Sequence, residues 1–249
     1  MSSTEIAAAE QSSQTATALP AIASPDKRDI RRIFDSIAAR YDFLNTILSL
    51  NLDERWRIRA RDLVLDGTER SLLDLGVGTG RFIRLFLAAK KWNRAAGLDF
   101  SSGMLQKARR ELPSEVRLVS ADFHDLPFHQ DSFDLVISSF ALRSVKDMPR
   151  FLAGIYDLLT ERGKVALLCL TRPQNVLWKF FYYPYLNFYL PLVGRLISGN
   201  REAYQFLSKS VQTFQDPSKT VEMMRAAGFG SITVHPFTLG SATLILGKK

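Results

Sequence analysis

Apolar positions along this chain change rhythm several times, and each change predicts an element. From Lys27 to Asp66 the rhythm is helical: Ile30, Ile33, Phe34 and Ile37 share one face, with charges opposite. A second helical stretch is expected to begin near Asp53, read as its N-cap. Beyond Asp66, short apolar runs alternate with amphipathic stretches. The runs predict strands over Ser71–Leu75, Arg94–Leu98, Val116–Ser120, Phe133–Ser139 and Lys164–Leu170. Helices are expected near Arg81–Ala89, Gly103–Glu111, Met148–Thr160 and Pro217–Ala227. Ser231–Phe237 and Ala242–Leu246 flank Thr238-Leu239-Gly240 and predict a hairpin. Strands alternating with helices imply a parallel sheet covered on both faces. The fold class expected is therefore α/β, a seven-stranded, mostly parallel sheet closed by an antiparallel C-terminal hairpin, with a helical cap over 25–66 in front of it.

One segment breaks this alternation. Between the fifth strand and the helix at Pro217 lie about forty residues, too many for an ordinary connection. Trp178 to Tyr189 holds eight aromatics in twelve positions, while Pro184 and Pro191 interrupt the run and Lys179 and Arg195 flank it. That excludes a membrane span. The insert, 174–210, is expected to form a lid over an apolar substrate or a surface that dips into a bilayer interface, where Trp and Tyr are favoured. At the other end, Met1–Ser24 is rich in Ala, Ser and Thr, holds no basic residue, and reads as a disordered tail before a single domain over 25–249. It has neither the charged start and apolar run of a secretory signal nor the arginines of a transit peptide. A cytoplasmic placement follows, and the single Cys169 agrees with it.

Charge narrows the partners. The net charge of +8 points to an anionic partner, nucleic acid or a membrane surface, and much of it sits in Lys27, Arg28, Arg31, Arg32, Arg40, Arg55, Arg57, Arg59 and Arg61. Composition leaves a homo-oligomer open.

The chemistry begins at Leu72-Leu73-Asp74-Leu75-Gly76-Val77-Gly78-Thr79-Gly80, a buried strand ending in a turn with glycine at every second position. Such a turn lets backbone approach a ligand where a Cβ would collide. A dinucleotide loop has its third glycine three residues after the second. Here it comes two residues after, and Arg81 fills the dinucleotide position. This G-x-G-x-G spacing behind Asp74 resembles the cofactor loop of S-adenosylmethionine methyltransferases, whose class I, Rossmann-like layout is the sheet predicted above. Asp99, ending the second strand about twenty residues on, is placed to accept hydrogen bonds from ribose hydroxyls. Its alternative is a helix cap, a role Ser101 or Ser102 could fill instead. Asp74 is expected near the amino-acid ammonium.

Five stretches extend the resemblance from Ile33 to the C-terminus. They are Phe34–Asn45 with Leu48-Ser49 and Trp56-Arg57; Leu73–Gly80; Asp125-Leu126-Pro127-Phe128 with Phe133-Asp134; Phe140-Ala141-Leu142-Arg143-Ser144; and Leu190–Ser198 with Ala203-Tyr204 and Ala227-Gly228-Phe229. Together they resemble the C-methyltransferases of ubiquinone and menaquinone biosynthesis, the UbiE, MenG or Coq-five type. The resemblance implies a polyprenyl quinol substrate (naphthoquinol or benzoquinol) and cofactor contacts from Thr79, Asp99, Asp122, Phe123 and Ser139, beside Asp74, Gly76, Gly78 and Gly80. Independently, Asp122 follows the third strand, where a carboxylate can meet the adenine amine, and Phe123 can stack on the ring. Ser139 ends the fourth strand beside the cleft. The chain departs from the family at Ser144, where Asn is usual, at Cys169-Leu170, where Glu-Phe is usual, and at Asn51, where glycine is usual.

Methylating a quinol ring carbon needs orientation, stabilisation of a phenolate and a proton acceptor, without a metal. Arg143 is the candidate for the phenolate, because a guanidinium stays charged; its alternative is an ion pair with Asp147. Tyr41 and Asp42 are candidates for substrate positioning and proton transfer. His124 and His129 sit among Asp122, Asp125 and Asp131, but their spacing matches no zinc pattern and Pro127 breaks any helix that would align them. Cys169 lies in an apolar run and reads as core. Nucleic acid is disfavoured as substrate: exocyclic base methylation typically uses an Asp/Asn-Pro-Pro-Tyr/Phe motif, and the position reads Ser138-Ser139-Phe140-Ala141. Two alternatives stay open, a methyltransferase of another apolar small molecule or lipid, and a non-catalytic member that binds cofactor or quinone.

Overall fold

The computed structural model describes residues 35, 41–171, 184 and 216–249. The expected tail, the helix before residue 41 and the aromatic insert lie outside the described residues. What is described begins with two helices, α1 (Tyr41–Leu48) and α2 (Leu52–Val64). Then β1 (Ser71–Leu75), α3 (Arg81–Ala89), β2 (Arg94–Asp99), α4 (Ser102–Glu111), β3 (Arg117–Ser120) and β4 (Phe133–Ser139) alternate. A 3-10 turn (Leu142–Ser144), α5 (Met148–Leu158) and β5 (Leu159–Leu170) follow, and α6 (Pro217–Ala226), β6 (Ser231–Phe237) and β7 (Ala242–Lys248) complete the chain.

The seven strands run β3-β2-β1-β4-β5-β7-β6, parallel except for β7, which pairs antiparallel with both neighbours. All of β1 is buried, as a central parallel strand covered on both faces must be. One face packs Phe151 and Ile155 of α5 and Met224 of α6 on Leu73, Val136 and Val165. The other packs Trp56 and Ala60 of α2 and Phe82 and Phe86 of α3 on Leu72, Leu135 and Ala166. Chain order reverses between β1 and β4, so their carboxyl ends diverge and open a crevice there.

Three expectations are corrected. Asp53 does not cap α2: Asn51 does, at φ 62, and Asp53 sits buried inside the helix. Asn tolerates this left-handed backbone better than other residues with a Cβ, which explains why it can stand where the family usually has glycine. The helix expected to Thr160 stops at Leu158, because fully buried Leu159 pairs instead with Phe133 and starts β5 early, with an irregularity before the regular ladder resumes at Lys164. Finally, β3 begins at Arg117, since the Val116 N–H is spent on a turn to the Pro113 carbonyl.

Candidate active site

The crevice between β1 and β4 is a cleft of about 420 Å³ counted with the solvent-open space at its mouth. Its walls come from three strand ends: Gly76 and Gly78 after β1, Asp99 and Phe100 at the end of β2, and Ser139 to Ser144 at the end of β4. Met104 and Phe123 complete it.

The three loop glycines do different work. Gly76, at φ +78, turns the chain where a Cβ would fall 2.5 Å from the Ala141 Cβ. Gly80 packs on the Leu112 side chain, 2.8 Å from where its own Cβ would be. Gly78, at φ +53, faces open space, so it is here that the missing Cβ leaves room for a ligand against the backbone. The Gly78 N–H donates to Asp99 Oδ2 at 2.9 Å, and the Ser101 N–H donates to Asp99 Oδ1 at 2.9 Å. Asp99 thus fixes the loop and retains carboxylate lone pairs at the cleft wall. Burial raises its pKa above the usual carboxylate range, against the stabilising N–H groups. Ser101, not Asp99, caps α4 by accepting from the Met104 N–H.

Asp74 lies beneath the loop, 1% exposed, with no hydrogen-bond partner for either carboxylate oxygen among the described residues. Burial pushes its pKa up to about 8; the Ile83 N–H, not placed to form a hydrogen bond, offsets this in part, the Asp99 charge adds to it and Arg57 opposes it. Such a buried acid can release its proton when a cationic group reaches it.

Phe123 is buried at the cleft wall, in edge contact with Phe151 at 5.3 Å between ring centres. Asp122 does not line the cleft: its Oδ1 faces His124 Nδ1 at 2.6 Å and accepts the His124 N–H. Ser139 lines the cleft, half-buried. So does Arg143, whose Nε is buried without a hydrogen-bond partner among the described residues. No ion pair joins Arg143 to Asp147, which caps α5 by accepting from the Arg150 N–H. Cys169 is buried nearby; burial pushes its thiol up to about 12, opposed by the Arg143 charge.

Thr79 is buried, and its hydroxyl donates to Asp42 Oδ1 at 2.7 Å. Asp42 Oδ2 meets Lys107 Nζ at 2.8 Å. These contacts pin α1 to the glycine loop and to α4. Tyr41 opens α1, and its side chain lies outside the described residues.

Four residues with clear work here were not singled out by sequence. Arg81, first in α3, reaches Asp53 at 3.1 Å and Glu54 at 2.8 Å and ties α2 to the loop. Burial alone would raise the Asp53 carboxyl, but Arg57, Ser49 and Arg81 outweigh it and hold the group low. A cation at a helix N-terminus opposes the helix dipole, and that mismatch was a readable signal. Phe140 lines the cleft at φ 57, uncommon for a residue with a Cβ, its ring held by Trp56 at 6.3 Å and by the Arg57 guanidinium at 4.9 Å. Lys107 anchors Asp42, and Asp35 accepts from Ser101 Oγ at 2.5 Å and from the Gly103 N–H at 3.0 Å.

The family model described as the ubiE/COQ5 methyltransferase family matches residues 22–249. A demethylmenaquinone methyltransferase of Thermotoga maritima is 36% identical over 222 residues, 89% of this chain and 96% of that protein. Another from Thermus thermophilus is 37% identical over 87% of this chain and all of that protein. A ubiquinone/menaquinone biosynthesis C-methyltransferase UbiE of Geotalea daltonii is 34% identical over 88% and 96%. In fold, the chain matches the crystal structure of a possible histamine N-methyltransferase of Thermotoga maritima, with TM-score 0.64 at 20% identity over 88% of this chain and 99% of that one.

Proposed function

Since this chain belongs to the ubiE/COQ5 methyltransferase family, we propose that it methylates a ring carbon of a polyprenyl quinol from S-adenosylmethionine, in menaquinone or ubiquinone biosynthesis. The observation that carries this reading is Arg143: a permanent cation in the cleft wall, its Nε buried without a partner among the described residues, across from a glycine loop backed by Asp99. Bound in the cleft, the cofactor supplies an electrophilic methyl group. Asp99 takes the ribose diol, Asp74 receives the ammonium, Phe123 offers a ring face, and Ser139 adds a hydroxyl beside the cleft. Gly76, Thr79 and Gly80 shape and brace the loop, and Asp122 acts through the turn it forms with His124.

Arg143 would hold the quinol oxygen as phenolate, its proton released to water, which loads electron density onto the ortho carbon; that carbon takes the methyl group as the sulfur–methyl bond breaks and then gives up its own proton to water. Removing such an oxyanion contact costs about 10²–10³ in rate. Asp42 is a positioning residue in this scheme, bracing Thr79 and Lys107. Tyr41, its chain neighbour, is assigned to substrate positioning.

A partner follows from the substrate. A polyprenyl quinol resides in a bilayer, and a chain of net charge +8 fits peripheral contact with an anionic membrane from the cytoplasmic side. No helix among the described residues is long and apolar enough to cross a membrane. Labelled methyl transfer to a demethylmenaquinol and to a polyprenyl benzoquinol tests the reading. Arg143→Met should lower kcat about 10²-fold with cofactor affinity intact, and Arg143→Lys should recover part of it. Equal kcat in all three proteins would remove Arg143 from the chemistry.

A further inference from the structure

Two leucines are held on the surface in the backbone conformation that suits them least. Leu50, in the turn between α1 and α2, is 68% exposed at φ 52. Leu239, at the tip joining β6 to β7, is 62% exposed at φ 54. Both conformation and exposure are unfavourable for a leucine in water, and the left-handed turn is what projects each side chain outward. Both tips adjoin α2: Leu50 leads into its first turn, and the Leu239 tip is tied to its Trp56. Trp56 Nε1 donates to Thr238 Oγ1 at 2.8 Å, which sets the Leu239 tip against the first turns of α2, two residues after Leu50 in the chain.

The outward face of α2 continues this corner. Arg55, Ile58 and Arg59 are exposed, and the two arginines stand one helical turn apart, a like-charge spacing that disfavours an isolated helix. The nearby carboxylates are engaged elsewhere: Glu54 by Arg81 and Asp62 by Arg61. Apolar tips flanked by cations without carboxylate partners among the described residues have the chemistry of an interfacial lipid contact, apolar groups at the acyl boundary and arginines on phosphates.

We propose that Leu50, Leu239 and the Arg55–Ile58–Arg59 face of α2 form the surface that docks on an anionic lipid bilayer. Such a surface rests on the reading of a membrane-borne quinol substrate and adds where the membrane is met. α2 also carries Asp53 and Glu54, which hold Arg81 beside the cofactor loop, so the docking face and the cleft share one helix.

The test uses full-length protein and sedimentation with phosphatidylglycerol/phosphatidylcholine vesicles. The wild type should bind in a salt-sensitive way, and binding to pure phosphatidylcholine should be much weaker. Leu50→Asn/Leu239→Asn removes both apolar tips while asparagine suits the left-handed backbone, so its melting temperature should hold or rise. Its vesicle partition should fall at least tenfold. Arg55→Gln/Arg59→Gln should lose about fivefold per arginine, with a shallower salt dependence. Methyl transfer to a short-tailed, water-dispersed quinol should be unchanged in both variants, and transfer to a long-tailed quinol in vesicles should fall. Vesicle binding equal to wild type in both variants overturns the assignment. So does a wild-type dimer in sedimentation velocity that the leucine variant converts to monomer, which would make the face an interface between copies. Normal vesicle binding without activity on any quinol would instead sink the substrate reading and leave the docking surface standing.

Discussion

Replacing Asp74 by asparagine should change how stability depends on pH more than it changes stability itself. Both oxygens of Asp74 are buried without a hydrogen-bond partner among the described residues, and burial lifts its pKa from the ordinary carboxylate value to about 8. The folded protein therefore keeps a proton on Asp74 that the unfolded chain has already released above about pH 4. Where the folded state binds more protons than the unfolded state, stability falls as pH rises. The wild type should be unburdened near pH 4 and lose stability progressively until about pH 8, where the folded carboxyl also ionises. The slope is about 1.4 kcal/mol per pH unit, so between about pH 5 and pH 7 the loss is at most about 3 kcal/mol. That is a large part of the roughly 5–15 kcal/mol that holds a domain folded. The side-chain amide of the variant cannot ionise, so the share of the trend that comes from Asp74 should vanish while that of Asp99 remains. Urea unfolding of both proteins across this range, without cofactor, gives the difference and cancels the titrating groups that do not interact with Asp74. Wild-type stability should decline relative to Asp74→Asn by about 1.4 kcal/mol per unit. Parallel curves would refute the claim that Asp74 is buried in protonated form.

Other perturbations separate the parts of the site. Gly78→Ala places a Cβ in open cleft space at φ +53, so it should cost about 1–2 kcal/mol in a urea titration and weaken product binding at least tenfold by calorimetry. Gly76→Ala meets Ala141 instead and should destabilise more than Gly78→Ala in the same titration. Arg81→Ala leaves buried Asp53 with Arg57 and the Ser49 hydroxyl and should cost about 2–3 kcal/mol, with faster hydrogen exchange over 41–64; unchanged exchange there would rule out the clamp. Phe140→Gly relieves the φ 57 backbone that Phe140→Ala retains, while both lose the ring packed on Trp56 and Arg57. The alanine variant should melt lower.

The sheet was legible because its strands are buried apolar runs separated by helices of clear periodicity. Ser71–Leu75, Phe133–Ser139 and Ser231–Phe237 end where the runs end. Misread boundaries lay where local preference lost to tertiary pairing. Leu159 continues a helical pattern but is taken by Phe133, and Asp53 looks like a cap but is drawn into an ion cluster by Arg57 and Arg81. In the site, the loop spacing and the acid ending β2 marked Gly76, Gly78 and Asp99, which line the cleft, together with Asp74, Thr79 and Gly80, which do not. Spacing could not reveal that Thr79 faces Asp42, thirty-seven positions earlier, or that Asp122 turns to His124. Nor could it show that Phe140 is strained, since φ is set by the close packing of α2 on the end of β4.

The central claim is that the crevice between β1 and β4 delivers a methyl group to a quinol ring carbon. The direct measurement is single-turnover reaction of the purified protein with trideuteromethyl-labelled cofactor and reduced demethylmenaquinol, with the product resolved by mass and NMR. The label should appear on the ring carbon beside the hydroxyl, and Arg143→Met should slow its appearance about a hundredfold. A label on oxygen, or none on any reduced quinol while the cofactor binds, would contradict the account.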